Sequence, residues 1–236
     1  MNMNERLKAA GERRVACVGI IMDGNRRWAL SRGLSGIEGH TAGFTKAREI
    51  VRHAFSTGIE TIILYAFSTE NWSRPPKEVA YLMDLFSGAL VRELNEISRE
   101  GIRVRFIGDF TRLPEKLYAS IKKLERESTD ARLGKTLVIA LSYGGRAEII
   151  AAARATVARG EEMTEDSLAH HLWTAEMPDP DIIIRTGGQI RLSNFLPWQS
   201  VYSELFFTDT LWPDFSRDEF DSILVEFSAR ERRHGK

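Results

Sequence analysis

Residues Val15–Met22 read VACVGIIM, and Asp23-Gly24-Asn25-Arg26-Arg27-Trp28 follows without a break. The run is nearly continuously apolar rather than alternating, which is the pattern of a strand buried on both faces. Working outward, four more β-branched runs share that character: Thr61–Phe67, Ile102–Ile107, Thr136–Leu141 and Ile182–Arg185. Stretches of helical period lie between them, at about Ala42–Ser56, Glu78–Arg99, Pro114–Ser128 and Ala147–Arg159. Thr164 and Ser216 stand in N-cap position before two further helices, each with acidic residues in its first turn. This alternation predicts an α/β fold: one domain over residues 15–236, with a mostly parallel central sheet flanked by helices. Residues 1–14 are polar and read as a flexible N-terminal segment.

Composition narrows the function. The 33 Lys and Arg balance 33 Asp and Glu, which argues against a nucleic-acid binder with its usual basic excess. A single cysteine, Cys17, excludes an internal disulfide and a cysteine-cluster zinc site. A reducing cytoplasm is the expected compartment. No apolar run approaches the roughly 20 residues of a membrane span, and the N-terminus lacks a signal-peptide core.

In a parallel sheet, ligands sit at the carboxyl ends of the strands. The residues leaving the strands are Asp23–Trp28, Ser68–Pro75, Ser142–Arg146 and Thr186–Asn194. Glycine beside Asn and Arg lets backbone N–H groups approach an anion, and guanidinium forks take phosphate oxygens in pairs. Asp23 is placed to hold a hard cation such as Mg²⁺, which typically takes one or two carboxylates plus substrate phosphates. Arg185, Arg191 and Ser193 form a second cluster of phosphate donors, and Glu204 offers another carboxylate. A strongly cationic rim on a neutral chain suggests a diphosphate-type substrate rather than a polymeric polyanion.

Each part alone has a blander reading. Asp-Gly is commonly a turn, Arg26-Arg27 a solvated pair, His40 a helix-start residue, and Trp28 and Trp72 packing residues. Gly187-Gly188 matches neither a dinucleotide fingerprint nor a Walker loop. Spacing alone supports an α/β phosphate-binding enzyme.

The combination is more specific. Ile21–Ala29 (IMDGNRRWA) resembles the first signature of the cis-prenyltransferases, the family of undecaprenyl diphosphate synthase and its relatives. Tyr65–Pro75 (YAFSTENWSRP) resembles their second signature. Arg185–Gly188, Arg191–Phe195, Glu204–Phe207, Leu211–Phe215 and Arg230–Arg233 resemble the third, and all stand in the family's order.

That resemblance implies condensation of isopentenyl diphosphate onto an allylic diphosphate, usually farnesyl diphosphate, with a cis double bond formed each time. It implies that Asp23 binds Mg²⁺ and the allylic diphosphate as the main catalytic residue. Gly24, Asn25, Arg26 and Arg27 would line that diphosphate site, with Trp28 and His40 close by. Ser68, Thr69 and Glu70 would contact substrate. Asn71 would be the second catalytic residue, standing near the proton lost from isopentenyl diphosphate, with Trp72 and Arg74 adjacent. Arg185, Arg191, Leu192 and Ser193 would hold isopentenyl diphosphate. Glu204 would be the second Mg²⁺ ligand, supplied across a homodimer interface. The stripe Val79, Leu82, Met83, Phe86, Ala89, Leu90 and Leu94 corresponds to a helix that lines the family's apolar tunnel between sheet and helices. The product would partition into the membrane, with the enzyme peripheral at its inner face.

The chain departs from the family pattern at Gly36, where Arg is usual, at Gln189-Ile190, at Ser142, where Asn is usual, and at Arg26, where many bacterial members have Gly. Arg26 is a candidate to replace the charge missing at Gly36. Alternatives to a polyprenyl synthase are a short-chain cis-prenyl diphosphate synthase and a catalytically weak binding subunit. An unrelated phosphate-ester hydrolase would want a nucleophile or a two-metal carboxylate cluster, and the sequence offers neither. The apolar segment Leu205–Trp212 (LFFTDTLW) is expected to form the dimer interface, the alternative being that Phe206, Phe207 and Leu211 belong to the monomer core.

Overall fold

The computed structural model describes residues 14–129 and 132–230. Apart from Arg14, the N-terminal segment 1–14 lies outside the described residues, as do 231–233 of the last signature. Six parallel strands form one sheet in the order β3-β4-β2-β1-β5-β6. They are β1 (Cys17–Ile21), β2 (Thr61–Ser68), β3 (Arg103–Ile107), β4 (Thr136–Tyr143), β5 (Ile182–Arg185) and β6 (Glu204–Phe207). The helices are α1 (Asn25–Leu30), α2 (Gly36–Ser56), α3 (Pro76–Leu85), α4 (Val91–Arg99), α5 (Glu115–Glu127), α6 (Gly145–Ala158), α7 (Glu165–His170) and α8 (Arg217–Ala229).

The apolar runs are continuous because both faces of the sheet are covered. Alternate residues point to opposite sides. Val18, Ile20, Ile62 and Leu64 pack with α2, α3, α4, α5 and α8. Cys17, Ile21, Ile63 and Ile183 pack with Tyr143, Phe195 and Leu196 on the other side. Gly19 in β1 makes room there, since a Cβ on it would stand 3.0 Å from the Phe195 ring.

The five expected strands are present, and three features differ from expectation. Helix α2 begins at Gly36, six residues before the predicted start. Ser35 and Glu38 form a reciprocal capping box, and this S-x-x-E signal was legible in the sequence. The predicted helix Glu78–Arg99 is α3 and α4 joined by one π-helical turn, Phe86–Leu90. Leu205–Trp212 is not chiefly a surface segment. It opens as part of β6, and Phe206 and Trp212 are buried in the monomer core, while Leu205 stays exposed.

Helices α1 and α2 meet at glycines. A Cβ on Gly39 would stand 2.2 Å from the Asn25 carbonyl oxygen and 2.9 Å from the Ala29 methyl. Gly39→Ala gains up to about 1 kcal/mol of helix propensity, and overpacking costs about 1–3 kcal/mol. The net effect expected is destabilisation by about 1–2 kcal/mol. At Gly88 no atom lies within 4 Å of the added Cβ, so Gly88→Ala should stabilise by about 0.5–1 kcal/mol. Urea unfolding midpoints measure both, and a Gly39→Ala protein as stable as wild type would contradict the close α1–α2 contact.

Candidate active site

Strands β1 and β5 are neighbours, and Ile21 is in register with Arg185. The chain leaves β1 through Asp23 and β5 through Thr186, so these two loops share one rim. Their backbones are tied: Thr186 Oγ1 and the Trp212 N–H both donate to the Asp23 carbonyl, at 2.7 and 3.0 Å. Gly24 (φ +114°) and Gly187 (φ +83°) take left-handed turns here. A Cβ on Gly187 would stand 2.5 Å from Arg27 Nη2.

The Asp23 carboxylate lies between two guanidinium groups. Arg185 Nη2 donates to its Oδ2 at 2.9 Å and Arg27 Nη2 to its Oδ1 at 3.2 Å. Arg185 is almost wholly buried and also donates to Ser193 Oγ and the Arg191 carbonyl, both at 2.6 Å. Asp23 keeps 29% of its side chain exposed.

A cavity of about 660 Å³ opens at this point, and its mouth carries Asp23, Asn25, His40, Ser68, Glu70, Asn71, Arg74, Arg185 and Ser193. The rest of its wall is mainly apolar, with Val51, Leu82, Leu85, Phe86, Leu94, Ile97, Leu137 and Ile139, and it also carries the Arg48–Glu93 ion pair. Of the predicted tunnel stripe, Leu82, Phe86 and Leu94 line it, and the Ala89 and Leu90 side chains lie outside the described residues. A smaller cavity of about 330 Å³ adjoins it, lined by Asp23, Gly24, Asn25, Arg26, Arg27, His40 and Arg74.

Several mouth groups are poised by their surroundings. Burial, and next the Arg74 guanidinium, hold the His40 pKa below the usual histidine value, so the ring is neutral at neutral pH. Its Nε2 is buried without a partner. Burial pushes the Glu70 carboxyl up, but hydrogen bonds led by that from Asn194 outweigh it and hold the group below the usual carboxylate range. Asn71 accepts the Ser68 N–H through Oδ1 at 3.1 Å, which aims its amide nitrogen elsewhere.

The structure does not bring every predicted residue to the cavities. The Trp28 indole donates to Asp214 at 2.7 Å, with Arg32 stacked on its ring. Trp72 donates to Ser142 Oγ at 2.9 Å and is capped by Arg112. These are the contacts of packing residues. Thr69 lies against Gly144, Leu192 packs with the second-face core, and the Arg191 side chain is turned to Gln189. Glu204 sits at the amino end of β6, paired with Arg230 at 3.0 Å. Asp23 follows the carboxyl end of β1, so one chain does not bring these two carboxylates together. Gly36 lies near the smaller cavity: a Cβ there would touch Arg26 Cγ at 3.7 Å.

Asn194 lines the larger cavity and was missed as a site residue. It is left-handed (φ 66°), a conformation in which Asn is enriched, so residue type carried a weak signal.

A family model described as "Putative undecaprenyl diphosphate synthase" matches residues 21–235. An isoprenyl transferase of Porphyromonas gingivalis is 47% identical over 226 residues, covering 93% of this chain and 89% of the relative. The ditrans,polycis-undecaprenyl-diphosphate synthase ((2E,6E)-farnesyl-diphosphate specific) of Salmonella paratyphi A is 44% identical over 240 residues, covering 99% of this chain and 94% of the relative. The crystal structure of lavandulyl diphosphate synthase from Lavandula x intermedia in complex with dimethylallyl diphosphate superposes with a TM-score of 0.89 at 35% identity, covering 94% of this chain and 98% of that one. With a charged mouth opening on a mainly apolar interior at the carboxyl edge of a parallel sheet, and with these matches along nearly its whole length, the chain belongs to the undecaprenyl diphosphate synthase family of isoprenyl transferases.

Proposed function

We propose that this chain condenses isopentenyl diphosphate onto an allylic diphosphate, farnesyl diphosphate being the expected primer, and repeats the step to make a polyprenyl diphosphate. The observation that carries this reading is a cavity in which the charged and polar groups around Asp23 and Arg185 adjoin a mainly apolar wall. A prenyl diphosphate has the same two-part chemistry.

In each cycle a C–C bond forms to the allylic carbon, diphosphate leaves that carbon, and a proton leaves the isopentenyl unit. Arg26, Arg27 and neutral His40 would hold the allylic diphosphate in the smaller cavity. Arg185 and Ser193 would hold isopentenyl diphosphate, and Arg191 would join them by turning its side chain away from Gln189. Asn71 would donate through its amide to the isopentenyl group near the departing proton. The apolar wall would exclude water from the cation-like allylic carbon.

Mg²⁺ fits the donor set only together with substrate. Each Asp23 oxygen has one guanidinium partner, so lone pairs remain, and no group of three or more acid, His or Cys ligands exists among the described residues. A single carboxylate completed by diphosphate oxygens matches the habit of this ion. When bound, it would neutralise charge on the leaving diphosphate. Glu204 would join only if a second copy of the chain brought it there. That agrees with a homodimer: β6 pairs only with β5 among the described residues, and Ile190, Val201, Tyr202 and Leu205 are exposed around it. No helix of the described residues is long and apolar enough to cross a membrane, so we place any membrane association with the product.

Labelled isopentenyl diphosphate with a panel of allylic primers, and products sized by chromatography, tests the reading. Chains longer than the primer are expected, and no incorporation with any primer would overturn it. Asp23→Ala should lower turnover by about 10²–10³, the typical cost of one transition-state electrostatic contact. A near wild-type rate at saturating Mg²⁺ would remove Asp23 from the mechanism. Arg191→Ala should raise KM mainly for isopentenyl diphosphate and Arg27→Ala mainly for the primer, because guanidinium–phosphate contacts are short-ranged. Equal effects of both on both substrates would sink the two-site map. Light scattering should give twice the chain mass of 26.8 kDa, and a monomer at all working concentrations would exclude the dimer.

A further inference from the structure

The loop after β5 is held in an unusual backbone. Ser193, Asn194 and Leu196 all have positive φ, at 49°, 66° and 50°, and none is glycine. Such conformations each cost on the order of 1–3 kcal/mol and persist only where surrounding contacts over-determine them. The first part of the segment is tied to the start of α6: Gly145 N–H donates to the Asn194 carbonyl at 2.8 Å and Arg146 N–H to Asn194 Oδ1 at 2.9 Å. The far part is tied by Gln199, whose amide donates to the Glu148 carboxylate at 3.1 Å.

Glu148 lies on the same first turn of α6 and is wholly buried. No Lys or Arg among the described residues pairs with it. Its oxygens are met by the Tyr143 hydroxyl at 2.5 Å, the Thr174 N–H at 3.0 Å, the Thr174 hydroxyl at 2.9 Å and Gln199. A buried carboxylate without a cation is costly unless hydrogen-bonded in full, and here the helix N-terminus adds its favourable end. Glu148 therefore joins the β4 end, the Thr174 loop and the far flank of the strained segment to the helix whose N-terminus grips the near flank.

We infer that Glu148 is a positioning residue: acting through Gln199 and α6, it fixes the loop that presents Ser193 to Arg185 and so sets the geometry of the isopentenyl diphosphate site. This rests on the two-site reading above. Glu148 lines neither cavity, so its effect must travel through the backbone of residues 193–199.

The test is steady-state kinetics on the full-length chain, varying each substrate in turn, for Glu148→Gln, Gln199→Leu, Ser193→Ala and the exchange Glu148→Gln with Gln199→Glu. Displacing a binding group by about 1 Å can cost up to about 10²-fold. Glu148→Gln and Gln199→Leu should each raise KM for isopentenyl diphosphate by about tenfold or more, with the primer KM within about twofold. The exchange variant, which restores a carboxylate–amide pair, should recover most of the loss. Should Glu148→Gln fail to fold by circular dichroism, Gln199→Leu still decides, since it leaves the other three donors on the carboxylate. A loss confined to kcat, or equal rises in both KM values, would overturn the positioning role and leave Glu148 as a general stabiliser. Ser193→Ala separates the two levels. If it raises KM for isopentenyl diphosphate and the Glu148 and Gln199 variants do not, the positioning role fails. If Ser193→Ala itself leaves that KM unchanged, the underlying site assignment fails.

Discussion

The ion pair between Asp23 and Arg185 joins the ends of two adjacent parallel strands, and the arrangement of the site depends on it. Register alone brings Ile21 beside Arg185, so two residues beyond β1 the carboxylate meets the guanidinium. The pair is half-buried, with 5% of the Arg185 side chain and 29% of the Asp23 side chain exposed, and desolvation of the guanidinium offsets much of the Coulombic gain. Its consequence is geometric. Arg185 is oriented by Asp23 on one side and by Ser193 and the Arg191 carbonyl on the other, so a single buried guanidinium sets the distance between the two loops.

The rest of the fold supplies what that rim needs. The charges cluster at the mouth although the chain is neutral overall. The apolar residues of α3 and α4 leave a cavity instead of closing against the sheet. Close backbone approach at Gly24 and Gly187, and left-handed residues at Ser193 and Asn194, concentrate conformational cost at the same place. That cost is borne by well-formed surroundings, notably the Trp212 and Thr186 bonds to the Asp23 carbonyl and the polar network around Glu148.

Much of this was legible in the sequence, for identifiable reasons. Doubly buried parallel strands write themselves as continuous runs, and all five of these were recognisable. β6 was not, because Glu204–Phe207 lies at a sheet edge and only Phe206 is buried, whereas the equally short β5 is buried throughout. Helix α1 escaped because it has six residues and starts at a left-handed glycine with no side-chain cap. Asp23, two residues past β1, and Arg185, the last residue of β5, stand at the carboxyl rim where the topology expects them. Arg191 and Trp72 carry the same motif chemistry, yet their side chains turn to Gln189 and Ser142, and only three-dimensional contacts reveal that. Asn194 and Glu148 escaped as site elements because their importance lies in bonds across many residues of sequence, with no local pattern.

The most direct test of the central claim is a double-mutant cycle on kcat/KM between Asp23→Asn and Arg185→Gln. If the two groups act as one unit, the double variant will be little worse than the poorer single variant, a coupling well outside the near-additivity of independent sites. If the two losses simply multiply, Asp23 and Arg185 serve the reaction separately, and the account built on their pairing is wrong.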